Sequence, residues 1–132
     1  MNKVIARFTD GRIVKGMTAD FFPTKEQFHV SLPVATGAAE PMQIRTAELK
    51  ALFFVKDFEG DPRHDERNEF DAARLPVGRQ IKVVFGDGEH LVGITTGYQP
   101  GRPGFFLEPA DPESNIDRCY VVTGSTEEIS FL

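Results

Sequence analysis

VIARFTDGRIVKGMT at residues 4–18 and IKVVFGDGEHLVGIT at residues 81–95 lie 77 positions apart and carry the same punctuation. Each is a β-rich run, an Asp-Gly pair, and a second apolar run with a glycine inside it, Gly16 or Gly93. Asp-Gly favours a two-residue hairpin because glycine accepts positive φ. Glycine inside a strand permits the sharp bend or bulge by which a short sheet curls.

Extended outward, the same offset aligns residues 4–55 with 81–132 without a gap, and nine of the 52 pairs are identical. Average residue usage would give roughly three by chance. The identities include Phe8/Phe85, Asp10/Asp87, Gly16/Gly93, Thr18/Thr95, Phe28/Phe105 and Phe54/Phe131, and many other pairs exchange one apolar residue for another. The sequence therefore reads as a tandem duplication: repeat 1 at 4–55, a charged linker at 56–80, repeat 2 at 81–132.

Each repeat predicts five short strands. They fall at 4–8, 13–18, 28–32, 43–45 and 52–55, and again at 81–85, 91–95, 105–107, 120–122 and 129–132, with a Pro-containing turn before the third. Five short strands per unit point to an all-β fold of small closed or nearly closed barrels. A unit of this size alone buries too little surface for comfortable stability, so the two are expected to pack as one pseudo-symmetric body. In the linker, residues 66–74 predict a short helix ended at Leu75-Pro76. Phe58, Phe70 and Leu75 are apolar residues there that could dock on a barrel.

Lys plus Arg number 15 against 20 Asp plus Glu, for a formal charge of −5, which argues against general attraction to nucleic acid or anionic lipid. The single cysteine, Cys119, stands at an apolar position matched by Met42 and reads as a small core residue in a reducing compartment. The start MNKVIARF holds no apolar run suited to a signal peptide or membrane span, so a soluble cytoplasmic protein is expected.

Strand, Asp-Gly, bent strand, then a late strand and turn before a final apolar strand resembles the Sm-like subset of SH3-type barrels, in both repeats. Sm-like proteins hold RNA through a polar residue and Asn after the bent strand and an Arg-Gly pair before the last. Here those places hold Asp20-Phe21-Phe22-Pro23 and Gly97-Tyr98-Gln99-Pro100, then Arg45-Thr46 and Thr123-Gly124, so neither copy carries the complete motif. The second repeat, with Pro76-Val77-Gly78, Asp87-Gly88-Glu89, Arg102-Pro103-Gly104-Phe105-Phe106-Leu107 and Pro109 to Asn115, is similar to an uncharacterised bacterial family. Its members occur alone or beside signalling domains, including PilZ, and the resemblance implies no activity.

Candidate chemistry is sparse. Arg63 and Arg67 match the Arg-x-x-x-Arg half of the PilZ cyclic-dinucleotide motif, without its Asp-x-Ser-x-x-Gly half. His29, His64 and His90 lack metal-ligand spacing, and no nucleophile motif or phosphate loop appears, so no metal, cofactor or enzymatic activity is expected. Phe21 and Phe22, with Tyr98 at the matching place, predict an exposed aromatic patch on the bent-strand loop. Asp111, Ser114 and Asn115 suit turns that bond their own backbone, or a rim contact beside Tyr98 and Arg102. The expectation is a non-enzymatic interaction or adaptor module in bacterial signalling, with a protein partner or a homo-oligomer. The alternative is ligand binding, of RNA through an Sm-like surface or of a cyclic dinucleotide through Arg63 and Arg67.

Overall fold

The computed structural model describes residues 1–32, 41–60 and 77–132. The expected linker helix over 66–74, with Arg63, His64, Arg67, Phe70 and Leu75, lies outside the described residues. Among those described, regular structure is ten strands: β1 (Asn2–Phe8), β2 (Ile13–Thr18), β3 (Gln27–Val30), β4 (Met42–Arg45), β5 (Leu49–Val55), β6 (Arg79–Phe85), β7 (His90–Thr95), β8 (Gly104–Pro109), β9 (Ile116–Val122) and β10 (Thr126–Phe131). Single 3-10 turns, Thr46–Glu48 and Thr123–Ser125, precede β5 and β10. The all-β expectation holds, and each expected strand overlaps an observed one, with Ser31, Leu32 and Leu132 falling just outside.

Local structure recurs at the 77-residue offset. The first hairpin of each half closes with the Phe8 amide donating to the Arg12 carbonyl and the Phe85 amide to the Glu89 carbonyl, both at 2.9 Å. That leaves three loop residues instead of the expected two. One left-handed residue at the end of a three-residue loop is what Gly11 (φ 95°) and Gly88 (φ 91°) supply, and each Asp carboxylate accepts the amide two residues on. The Thr18 hydroxyl donates to the His29 carbonyl at 2.8 Å, and the Thr95 hydroxyl to the Phe106 carbonyl at 2.7 Å. The bulges recur too. Lys50 is skipped where β5 pairs with β1, as Glu127 is where β10 pairs with β6.

All pairings are antiparallel. One eight-stranded sheet runs β10-β6-β7-β8-β9-β5-β1-β2, and a smaller one pairs β3 with β4. A bridge between Met17 and Ser31 joins β2 to β3, at the positions where β7 meets β8 through Ile94 and Glu108. The strands thus follow one succession from β10 to β4. The closed barrels anticipated from the sequence are absent, and the sheets are open. The reason lies in β5. Its second neighbour is β9, in the register Ala51–Val121 to Phe54–Arg118, so the ladder that would close the first unit runs on into the second.

Two cores flank this junction. Leu52 and Phe54 of β5, with Tyr120 and Val122 of β9, point into the first, among Val4, Phe28, Val30 and Ile44. Ala51, Phe53 and Val55, with Cys119 and Val121, point into the second, among Ile81, Val83, Phe85, Phe105 and Leu107. Alternation along a strand assigns successive residues to opposite faces, and here both faces are interior. All seven residues of β5 are buried.

Gly16 and Gly93 mark the bent strands. A Cβ on Gly16 would overlap the Ser31 carbonyl and the Val30 side chain, and one on Gly93 the Glu108 carbonyl and Leu107. At Gly97 the space is open. Gly93→Ala is therefore expected to destabilise the protein by about 1–3 kcal/mol through forced displacement of backbone, and Gly97→Ala to change stability by less than about 0.5 kcal/mol, as read by urea unfolding.

Candidate interaction surfaces

The residues singled out from sequence separate into buried supports and free surface. Phe21 does not belong to an exposed patch. Its half-buried ring packs edge-on against Phe28 and Tyr120, both at 5.1 Å, and against Phe54 at 6.0 Å, on the side of the first core. The chain turns after Asp20 so that only the next ring, Phe22, faces solvent, 53% exposed beneath the Lys25 ammonium. Tyr98 packs on the other core, 5.0 Å from Phe105 and 5.5 Å from Phe131, so the equivalent aromatic positions of the halves do not form one patch. Arg102 is exposed in the turn before β8.

Asp20 fixes the β2–β3 connection. It accepts the His29 amide at 2.9 Å, pairs with His29 Nδ1 at 2.7 Å and takes a bond from the Thr18 hydroxyl at 3.3 Å. Partial desolvation pushes its carboxyl up, but the His29 amide, the His29 ring and Thr18 outweigh that and leave its pKa lowered. Asp111 and Ser114 are buried turn residues. The Glu113 amide donates to Asp111 Oδ1 and the Ile116 amide to Ser114 Oγ. Asn115 clamps the segment after β5: the Asp57 amide donates to its Oδ1 at 3.0 Å, and its Nδ2 donates to the Asp57 carbonyl at 2.7 Å. The 111–115 loop thus ties the two halves together against Lys56 and Asp57, away from the Arg102 turn.

The junction also holds a charged cluster that the sequence did not single out. Lys50 is buried, with its ammonium 2.7 Å from Asp87, 3.1 Å from Glu89 and 4.7 Å from the centre of the Phe85 ring. Arg7 adds a two-toothed contact to Glu89 at 3.1 and 3.2 Å. The Lys50 contact, followed by the Glu89 amide, holds the Asp87 carboxyl below the ordinary carboxylate range. Bulging at Lys50 aims the side chain at the second hairpin turn; the sequence reading left Lys50 in the polar turn before the expected strand at 52–55 and gave no hint of this. Beside the cluster, a cleft of about 740 Å³ has Ile5, Phe53, Val55, Leu91 and Ile116 on its floor and Arg7, Lys56, Glu59, Glu89 and Glu113 at its rim. Cys119 is fully buried beneath the junction, where burial pushes its thiol pKa up, which disfavours the thiolate. No set of three or more metal-ligating side chains converges among the described residues, and no helix among them is long and apolar enough to cross a membrane.

A further surface feature is a pair of open edges. Among the described residues, β4 has β3 on one side only and β10 has β6 on one side only. Met42, Gln43 and Arg45 of β4, and Glu127, Glu128 and Phe131 of β10, are exposed. A sheet edge offers unpaired amides and carbonyls to another strand.

Two outcomes test these placements. Phe21→Asp is expected to cost about 2–4 kcal/mol in urea unfolding, whereas Phe22→Asp changes stability by less than about 0.5 kcal/mol. Neutralising both carboxylates, Asp87→Asn with Glu89→Gln, strands the buried Lys50 charge and destabilises the fold more than Lys50→Met, which removes that charge.

Among known proteins, no curated sequence and no solved structure matches the chain. A family model described as "Family of unknown function (DUF6982)" matches residues 1–132.

Proposed function

For this chain, which belongs to DUF6982, a family of unknown function, we propose the role of a non-enzymatic interaction module that works through the two open edges of its strand succession. The observation that carries the reading is the state of those edges. Met42 on β4 is 39% exposed and Phe131 on β10 is 37% exposed, while their counterparts at the inner junction, Cys119 and Phe54, are 0% and 5% exposed. Apolar side chains beside unpaired backbone suit recognition by strand addition, in which main-chain bonds supply affinity and side-chain contacts supply selectivity.

In this reading the chain is a duplicated Sm-like unit, a view supported by the shared strand order, bent-strand glycines and bulges at the 77-residue offset. An adaptor role in bacterial signalling, in the cytoplasm, is the setting we assign to it. The carboxylates along β10 and the net charge of −5 favour a protein partner over RNA.

The test is partner capture by the tagged protein. Met42→Asp and Phe131→Lys are expected to abolish specific capture while the protein stays folded, and Phe22→Asp to leave capture intact. Met42→Asp keeps the wild-type melting profile, and Phe131→Lys costs about 1–2 kcal/mol because Tyr98 and Arg79 pack on that ring. Capture that survives both edge substitutions and disappears with Phe22→Asp would move the working surface to the β2–β3 loop.

A further inference from the structure

The geometry points to a second copy of this chain as the occupant of the open edges, docked head to tail with β10 of one molecule against β4 of the next; this rests on the reading of the edges as the working surface. The template lies inside the molecule. β5 pairs with β9, and displacing each by the repeat offset carries β5 onto β10 and β9 onto β4. The internal pairs Ala51–Val121, Leu52–Tyr120, Phe53–Cys119 and Phe54–Arg118 become Glu128–Ile44, Ile129–Gln43, Ser130–Met42 and Phe131–Pro41 between copies. The exposed Met42 and Phe131 would then occupy the places that Cys119 and Phe54 fill in the interior.

The charges match as well, with signs exchanged. At the inner junction the bulged Lys50 meets Glu89 of the second hairpin turn at 3.1 Å. Its counterpart is the bulged, exposed Glu127, and the counterpart of Glu89 is Arg12, exposed on the first hairpin turn. Glu127 of one copy therefore faces Arg12 of the next, and one step beyond the ladder it lies opposite Arg45. Asp10, the counterpart of Asp87, is held by Arg12 at 2.8 Å, which tempers its repulsion of Glu127.

Pro41 and the Glu127-Glu128 pair are features that blunt indiscriminate edge pairing, and they are compatible with this specific one. Pro41 stands where Arg118 does, beside the irregularity that ends the regular internal ladder between Phe54 and Val55. A contact between different patches on identical molecules propagates, closing into a ring or growing as a filament according to the rotation between neighbours.

The test uses the full chain. In sedimentation equilibrium the wild-type protein should show concentration-dependent mass above the monomer. Glu127→Arg should weaken this roughly three- to tenfold, and adding Arg12→Glu should regain it. A mixture of Met42→Cys and Ser130→Cys single variants should form a disulfide-linked dimer under mild oxidation, because facing strand positions lie within disulfide reach. Gln43→Cys mixed with Ser130→Cys should not, since a one-residue slip turns the side chain to the other face. A monomer throughout the concentration series with no linked dimer overturns the inference, as does equal cross-linking in both mixtures. If edge-dependent capture of another partner persists in that event, the interaction-module reading stands and only the second copy is excluded. If that capture is lost too, both fall.

Discussion

Burial of β5 on both faces is the constraint on which the rest of the molecule depends. A strand in a two-layer β protein ordinarily presents one face to a core and one to water. Here Leu52 and Phe54 serve one core, and Ala51, Phe53 and Val55 serve the other. Neither half could form this wall alone, because the first core is completed by Tyr120 and Val122 from the second half, and the second core by Phe53 and Val55 from the first. The polar fastenings around the wall have the same reach. Lys50 and Arg7 hold the second hairpin turn, and Asn115 holds the chain as it leaves β5. Residues far apart in sequence are thereby fixed in one register.

Recurrence at the offset is strong in backbone and weak in charge. Elements with strict geometric demands repeat: the left-handed glycines, the bent-strand glycines that carry no Cβ, and the bulge before the last strand of each half. The side chains placed on those elements differ. Lys50 becomes Glu127, Glu89 becomes Arg12, and His29, which pairs with Asp20, becomes Phe106, whose ring packs on Phe21 and Tyr120 beside the first core, while Gly97 replaces Asp20. Backbone geometry tolerates few residues at a bend, whereas an exposed or bulged position accepts either sign provided its neighbour complements it.

This difference sets what could be read from sequence. The strands, the hairpin glycines, the bends and the all-β class were legible because each rests on local chemistry repeated twice. Closure was not legible, since it depends on which strand lies across from β5, and nothing within a single repeat specifies that partner. Phe21 and Phe22 are adjacent and chemically alike, so only tertiary packing distinguishes the ring inside the core from the ring in water. Lys50 was overlooked for a related reason: its burial arises from a bulge and from acids on a turn 37 residues away. Asp111, Ser114 and Asn115 were legible as turn formers, and the structure adds the far contact of Asn115 with Asp57.

The open ladder follows from counting strands. Each half offers a fourth and a fifth strand as outer partners, and the inner junction uses the fifth from the first half and the fourth from the second. A row of such units, however long, always leaves one strand of each kind unpaired unless the row bends round to meet itself. Among the described strands, those with an open side are β4 and β10, at opposite ends of the succession. Met42 and Phe131 stand exposed at those ends, beside Arg45 and Glu127 of opposite charge, 77 positions from the buried Cys119 and Phe54 that meet at the inner junction.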